Sequence, residues 1–384
     1  MSQTLNGDLF SHEHEELRSS VRSFVDKELF VHAEEWERDE AFPKEVFQRV
    51  GELGFFGLKF PPEAGGSGPD ILADAVVTEE FARCGSAGVS ASLGAHKDLA
   101  CLYLYNFGSP EQHERWLKPG IEGRSVGGFA VTEPDAGSDV ASIKLSAKRE
   151  GDDWVLNGSK LFISNGAWAD FVVVAAKTDP NAGHQGITLF VVEAGAPGFS
   201  ARRIPMLGWR TGQTGELSFS DVRVADDARL GDVGSGFYAI MQNFVWERLI
   251  MALGQVSGAQ RTYELAKAYA LSRPAFGRPV GKFQVWRHRF ANMATRIEAG
   301  RALTYKALRL VTEGEQPIRE AAMAKLYTSE VAFAVADECV QIHGGYGYMM
   351  EFPAQRAWRD SRLGPIGGGT SEIMRELIGR TYGL

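Results

Sequence analysis

The hydrophobic period of this chain changes twice along its length, and that change limits the fold more than any single motif does. Over the first ~125 residues apolar side chains recur three and four positions apart, as a helix with one buried face requires. Leu17, Val21, Phe24 and Val25 follow Ser11-His12-Glu13-His14 in this way. Ser11 is a candidate N-cap with Glu13 in the first turn, but His14 stands where a capping box expects Glu or Gln. Pro61-Pro62-Glu63-Ala64-Gly65-Gly66-Ser67-Gly68 reads as a structural loop, and helical patterns resume over 71–83 and 86–107. From Val126 the period drops to two. The runs 126–132, 154–158, 160–164, 171–176, 187–192, 217–219 and 222–224 read as strands separated by turns. After Gly236 the helical period returns over about 237–272, 282–312 and 317–341, with a last helix after Thr370. Strands at this spacing suggest a small antiparallel barrel or sandwich. The expected class is α+β. An N-terminal helical domain (1–125) precedes a middle antiparallel barrel or sandwich (126–232) and a C-terminal helical bundle (233–384). A chain of 384 residues with 44% apolar content can fill that many cores.

The net charge of −8 and the lack of any Lys/Arg-rich run argue against nucleic acid as a partner. No apolar run approaches the ~18 residues of a membrane span. Met1 to Leu9 lacks a charged region followed by an apolar core, so no secretory leader is expected. Cys84, Cys101 and Cys339 are far apart and odd in number, which fits reduced thiols in a cytoplasmic, bacterial-type setting and no metal site. Gly123-Arg124-Ser125-Val126-Gly127 matches G-x-S-x-G, yet its Ser precedes a strand instead of following one, so no nucleophile elbow is expected. No P-loop, H-E-x-x-H or strand-to-helix G-x-G-x-x-G is present.

One carboxylate stands out. Glu247 lies in Asn243-Phe244-Val245-Trp246-Glu247-Arg248-Leu249-Ile250-Met251, and its helical neighbours are Asn243, Phe244, Ile250 and Met251. None is basic. Arg248 projects about 100° away around the axis, so no Glu247–Arg248 ion pair is expected. An acid in such a setting is either a solvated surface Glu or a base whose proton affinity is raised by burial. Other candidate ligand-facing pieces are the turn from Thr132 to Asp139, the run Phe162-Ile163-Ser164-Asn165-Gly166, and Arg273 to Gly277 at a helix end. The glycine-rich turns Gln341 to Gly347 and Gly367 to Glu372 are suited to close approach by a phosphate.

Together and in this order these pieces resemble the acyl-CoA dehydrogenase family, and the resemblance covers nearly the whole chain. It is carried by Phe129-Ala130-Val131-Thr132-Glu133-Pro134-Asp135-Ala136-Gly137-Ser138-Asp139, Asn157 to Gly166, Gly208-Trp209-Arg210, Arg273 to Gly277, Phe283-Gln284, Gln341 to Gly347 and Gly369-Thr370-Ser371-Glu372. The resemblance implies a C-terminal four-helix bundle, a homotetramer and FAD. Phe129, Val131, Thr132, Gly137 and Ser138 would line the flavin, with Phe162, Ile163 and Ser164 against the ring. Arg273, Phe276, Gln284, Gln341, Ile342, Gly344, Gly345, Thr370, Ser371 and Glu372 would hold the rest of FAD. Of these, Arg273 and the Gln341 stretch would serve a neighbouring subunit. Ser138, Val245, Arg248, Gly368 and Gly369 would touch the acyl-CoA.

Many relatives place the catalytic Glu immediately before the Gly-Thr of the last motif, where this chain has Gly368. Isovaleryl-type and long-chain-type relatives place it on the helix before an Arg, which is Glu247-Arg248 here. The resemblance therefore implies Glu247 as the base of an α,β-dehydrogenation, acting on a medium, long or branched acyl-CoA. An electron-transferring flavoprotein would be the acceptor. Val245 replaces an Asp of several relatives, which leaves an acyl-carrier-protein thioester open as substrate. The same scaffold could also serve a flavin oxidase or a non-catalytic protein.

Overall fold

The computed structural model describes residues 9–384. The leader expectation therefore falls largely outside the described residues. The N-terminal region is helical: α1 (His12–Phe24), α2 (Ala33–Asp39), α3 (Glu45–Glu52), α4 (Ile71–Phe81), α5 (Ala87–Gly94), α6 (Cys101–Phe107), and the short α7 (Pro110–Gln112) and α8 (Lys118–Ile121). Ser11 caps α1, and the capping box closes after all, because His14 Nδ1 accepts the Ser11 N–H at 2.9 Å. An imidazole nitrogen does here what a Glu oxygen usually does. Between α5 and α6 the helix widens into a π-helical turn, Ala95–Ala100.

The middle region holds β1 (Gly127–Ala130), β2 (Ser146–Glu150), β3 (Asp153–Ile163), β4 (Phe171–Lys177), β5 (Ile187–Glu193), β6 (Phe199–Arg203), β7 (Gly215–Ala225) and β8 (Arg229–Leu230). The expected barrel or antiparallel sandwich is corrected here. The eight strands form one open sheet, ordered β6-β7-β3-β2-β4-β5-β8 with β1 beside β4. The β1–β4 and β2–β4 pairings are parallel. Hydrophobic alternation fixes which face a residue takes but not the direction of the neighbouring strand. A second correction concerns 154–164, read as two strands around Asn157-Gly158. It is one strand whose register with β7 slips between Leu156 and Gly158, so the glycine makes a bulge rather than a hairpin.

The C-terminal region consists of α9 (Gly236–Ser272), α10 (Gln284–Thr312), α11 (Ile318–His343), α12 (Pro353–Ser361) and α13 (Ser371–Thr381). The helix α12 was not expected from sequence. Helices α9, α10 and α11 pack through Val256, Ala259, Met293, Ile297, Val331 and Val335, and α13 packs on α11 to complete a four-helix bundle. Helix α9 also lies against the other two regions. Leu249 and Leu253 pack on Ala75 and Val76 of α4, while Ile240 joins the core of the sheet. One 37-residue helix thus carries side chains from the sheet, past α4 and α6, into the bundle. None of the described helices is long and apolar enough to cross a membrane.

Candidate active site

Glu247 is buried, 8% exposed, on the face of α9 that meets α6. Its carboxylate accepts one hydrogen bond, from the Tyr103 hydroxyl at 3.0 Å. Asn243, one turn earlier on α9, faces the same phenol and accepts from Asn106 Nδ2 at 2.9 Å. No ion pair joins Glu247 to Arg248 among the described residues. Arg248 is itself buried, with its guanidinium 5.1 Å from the centre of the Phe244 ring. Burial drives the Glu247 carboxyl up; the Tyr103 bond and the charge of Arg248 pull it down, Asp98 adds a smaller upward push, and the result is about 7. A carboxylate that half-ionises near neutrality can accept a proton at working pH and hold it.

The other position weighed for a carboxylate, 368, holds a glycine. Gly368 sits at φ +63, and a Cβ built on it would lie 2.2 Å from the Met251 sulfur. Met251 is four residues after Glu247 on α9, so the thioether fills the space a side chain at 368 would need. The turn is held from the other side by Lys325, fully buried on α11, which donates to the Gly369 carbonyl. Burial and the nearby Arg248 charge lower the Lys325 ammonium to about 8. Thr370 then caps α13, accepting from Ile373 N–H at 3.2 Å, and Ser371 is buried behind it while Glu372 is exposed.

The two apolar stretches of the middle region come together beside this base. The Leu161 N–H donates to the Thr132 carbonyl at 2.9 Å, and the Thr132 hydroxyl donates to the Leu161 carbonyl. Lys160 is buried and binds Glu133 and the Val131 carbonyl, both at 2.8 Å, which pins the turn that carries Gly137 and Ser138. Phe162 is held at φ +63, rare for an aromatic residue, with its ring 59% exposed; Ile163 is buried and Ser164 half-buried. This surface thus presents an apolar ring to solvent from a backbone conformation that side chains rarely adopt. Phe129 of β1 stacks on Tyr103, ring centres 4.0 Å apart, so this surface and Glu247 share one aromatic wall.

The remaining candidates lie elsewhere. Arg273, Ile342, Gly344 and Gly345 line a cleft of about 540 Å³ with Tyr269, Val280, His343, Tyr346 and Met349. Nothing lies within 4 Å of a Cβ built on Gly344 or Gly345, so the backbone there is open to a bulky ligand. Gln341 and Gln284 are exposed near the two helix ends. Phe276 projects from the 274–279 hairpin, 96% exposed. Arg273 follows Glu247 by 26 residues on α9, about 39 Å along the axis. Within one chain Glu247 and Arg273 therefore do not share one pocket. Val245 is buried in α9, only 5% exposed.

Family models for the acyl-CoA dehydrogenase N-terminal, middle and C-terminal domains match residues 11–124, 128–222 and 234–383. The chain belongs to the acyl-CoA dehydrogenase family. It is similar to the mouse mitochondrial long-chain specific acyl-CoA dehydrogenase, 41% identical over 97% of this chain and 87% of that protein. The human short-chain specific enzyme is 40% identical over 95% of this chain and 89% of its own. Among solved structures, acyl-CoA dehydrogenase from Geobacillus kaustophilus superposes with a TM-score of 0.95 at 37% identity, covering 98% of this chain and all of that one. The protein is thus an oxidoreductase of the acyl-CoA dehydrogenase type. Near-equal identity to relatives of different chain length means that identity alone does not select the acyl group.

Tyr103, Asn243, Met251 and Lys325 complete the site, and the sequence did not mark them as site residues. Tyr103 lies 144 positions from Glu247. A Tyr in an apolar helical row gives no sign of its partner. Lys325 left a fainter signal, a lone cation among Ala321, Ala322 and Ala324.

Proposed function

We propose that this protein converts a saturated acyl-CoA to the trans-2-enoyl-CoA with Glu247 as the base and FAD as the electron acceptor. The observation that carries the assignment is the pairing of a buried carboxylate at 247 with a position 368 whose side-chain space Met251 occupies. The residues fit FAD. Thr132, Ser138, Phe162 and Ser164 offer hydroxyls and an exposed ring for the flavin, and Arg273, Gly344 and Gly345 offer a cation and open backbone for the phosphates. Glu247 and Arg273 stand ~39 Å apart along the axis of α9, so in this reading a second copy of the chain supplies the Arg273 side of each flavin site, as a homotetramer or a dimer within it would.

When bound, FAD supplies a two-electron acceptor for the hydride leaving the acyl β-carbon. The chain's own residues do the rest. Glu247 takes the α-proton onto its carboxylate, in a pocket dry enough to make that oxygen basic. The Gly368 backbone N–H, aimed by the Lys325–Gly369 bond, polarises the thioester carbonyl as negative charge develops on it. Phe129 and Tyr103 close the aromatic side of the pocket against water. The helix position of the base fits a medium, long or branched acyl chain, and an electron-transferring flavoprotein would be the final electron acceptor.

The test is an anaerobic panel of acyl-CoAs from four to sixteen carbons, with branched members, added to the yellow holoenzyme. Bleaching of the flavin by at least one member, and formation of its enoyl-CoA, is the expected outcome. Bleaching only by an acyl-carrier-protein thioester would replace the substrate class, and stoichiometric peroxide in air would replace the acceptor.

A further inference from the structure

Among the described residues, the single hydrogen bond to the base comes from a tyrosine in the N-terminal helical region, just beyond a π-helical turn. We propose that Tyr103 is the positioning residue for the Glu247 carboxylate, its phenol fixing the carboxylate's orientation and stabilising the ionised form. The inference rests on the reading of Glu247 as base.

The geometry is specific. Tyr103 is fully buried. Its ring is stacked on Phe129 of β1 at 4.0 Å with 23° between planes, and its hydroxyl donates to Glu247 at 3.0 Å. It therefore bridges the strand beside the exposed Phe162 surface and the helix of the base. Asn243, one turn earlier on α9, accepts from Asn106 at 2.9 Å, and its buried amide nitrogen has no hydrogen-bond partner among the described residues.

The π-helical turn Ala95–Ala100 explains how the phenol gets there. In a regular α-helix Asp98 and Tyr103, five residues apart, would diverge by about 140° around the axis. A turn with i to i+5 hydrogen bonds swings the fifth residue back onto the same face. Both side chains then meet α9, Asp98 at the Trp246 indole at 3.0 Å and Tyr103 at Glu247.

The charged groups around the base are few. Arg248 acts on it from its own helix, and Asp98 from the π-helical turn. Behind Asp98 lie Lys59, Lys97 and Asp74. Lys325 on α11 faces Arg248 rather than Glu247. Tyr103 is the one direct donor to the carboxylate among the described residues. A donor to the charged form favours ionisation, so its loss raises the proton affinity of the base.

Tyr103→Phe in the holoenzyme tests this by the pH dependence of kcat/KM for the best acyl-CoA. The expected result is an acid limb displaced upward by about one pH unit. Activity would fall about tenfold below both limbs and stay within a few-fold of wild type on the alkaline plateau. The pH window in which thermal stability falls should move up with it, a readout that does not depend on turnover. An unmoved limb, or an equal loss at every pH, overturns the proposal. Should Tyr103→Phe fail to fold, a difluorotyrosine at 103, a stronger donor of nearly the same size, should move the limb downward, and an unmoved limb there overturns it equally. In Glu247→Gln the acid limb should vanish. A limb that persists there refutes the base assignment itself, whereas a limb lost there but unmoved in Tyr103→Phe refutes only the role of Tyr103.

Discussion

Asp98 meets α9 at Trp246, one residue before Glu247. Trp246 donates its indole N–H to Asp98 at 3.0 Å, and the next side chain is Glu247. Both carboxylates are buried, and burial pushes both upward. Asp98 binds the ammonium groups of Lys59 and Lys97, themselves buried and shared with Asp74. Those two charges, with the bonds from Lys59 and Trp246, outweigh burial and hold Asp98 below the ordinary carboxylate range. Glu247 has a neutral phenol in place of a cation, and burial wins, leaving it near 7. The same acid chemistry in the same apolar surroundings gives a permanent anion in one case and a usable base in the other. The difference is made by what lies within hydrogen-bond reach.

The contrast breaks most visibly at Asp98. Asp98→Asn leaves Lys59 and Lys97 with too little negative charge in the interior, and should cost about 3–5 kcal/mol of stability, read as a lowered denaturant midpoint. The matching substitution at Glu247 should act in the opposite direction. The folded-state value near 7 lies above the ordinary value of 4.5, so the folded protein binds the extra proton between those pH values. The stability contributed by the protonated acid is complete below about pH 4.5 and is lost as pH rises through 7, on the order of 3 kcal/mol in all. Glu247→Gln removes that loss. At pH 8 it should raise the thermal midpoint of the holoenzyme by a few degrees, and at pH 5 it should leave it nearly unchanged. Destabilisation by Glu247→Gln at pH 8 as large as that by Asp98→Asn would erase the distinction between the two carboxylates.

How much of this was legible in the sequence differs between the fold and the site. The order helix, strand, helix follows from the change of period, because burying one face of a helix and one face of a strand demands different spacings. The sheet's parallel pairs did not follow, since alternation says nothing about a neighbour's direction. For Glu247, the apolar neighbours Phe244, Ile250 and Met251 were visible one helical turn away. Its hydrogen-bond donor was not, because Tyr103 arrives from another region of the chain through a π-helical turn that no spacing announced. The quartet at 59, 74, 97 and 98 was equally hidden. Each residue taken alone reads as a solvated charge on a helix or loop, and only the packing of α4 and the π-helical turn under α9 buries all four. His14 shows the reverse case, in which a departure from the expected capping-box residue preserved the function of the motif.

The central claim is that Glu247 removes the proton. Its most direct test is the rate of anaerobic flavin reduction by one saturating acyl-CoA, measured by stopped flow across pH for wild type and Glu247→Gln at equal flavin content. The account predicts a wild-type rate that rises with pH to a plateau, and a variant that stays yellow, slower by about 10²–10⁴-fold with no acid limb. A Glu247→Gln enzyme that bleaches at the wild-type rate, with the same pH dependence, would contradict it.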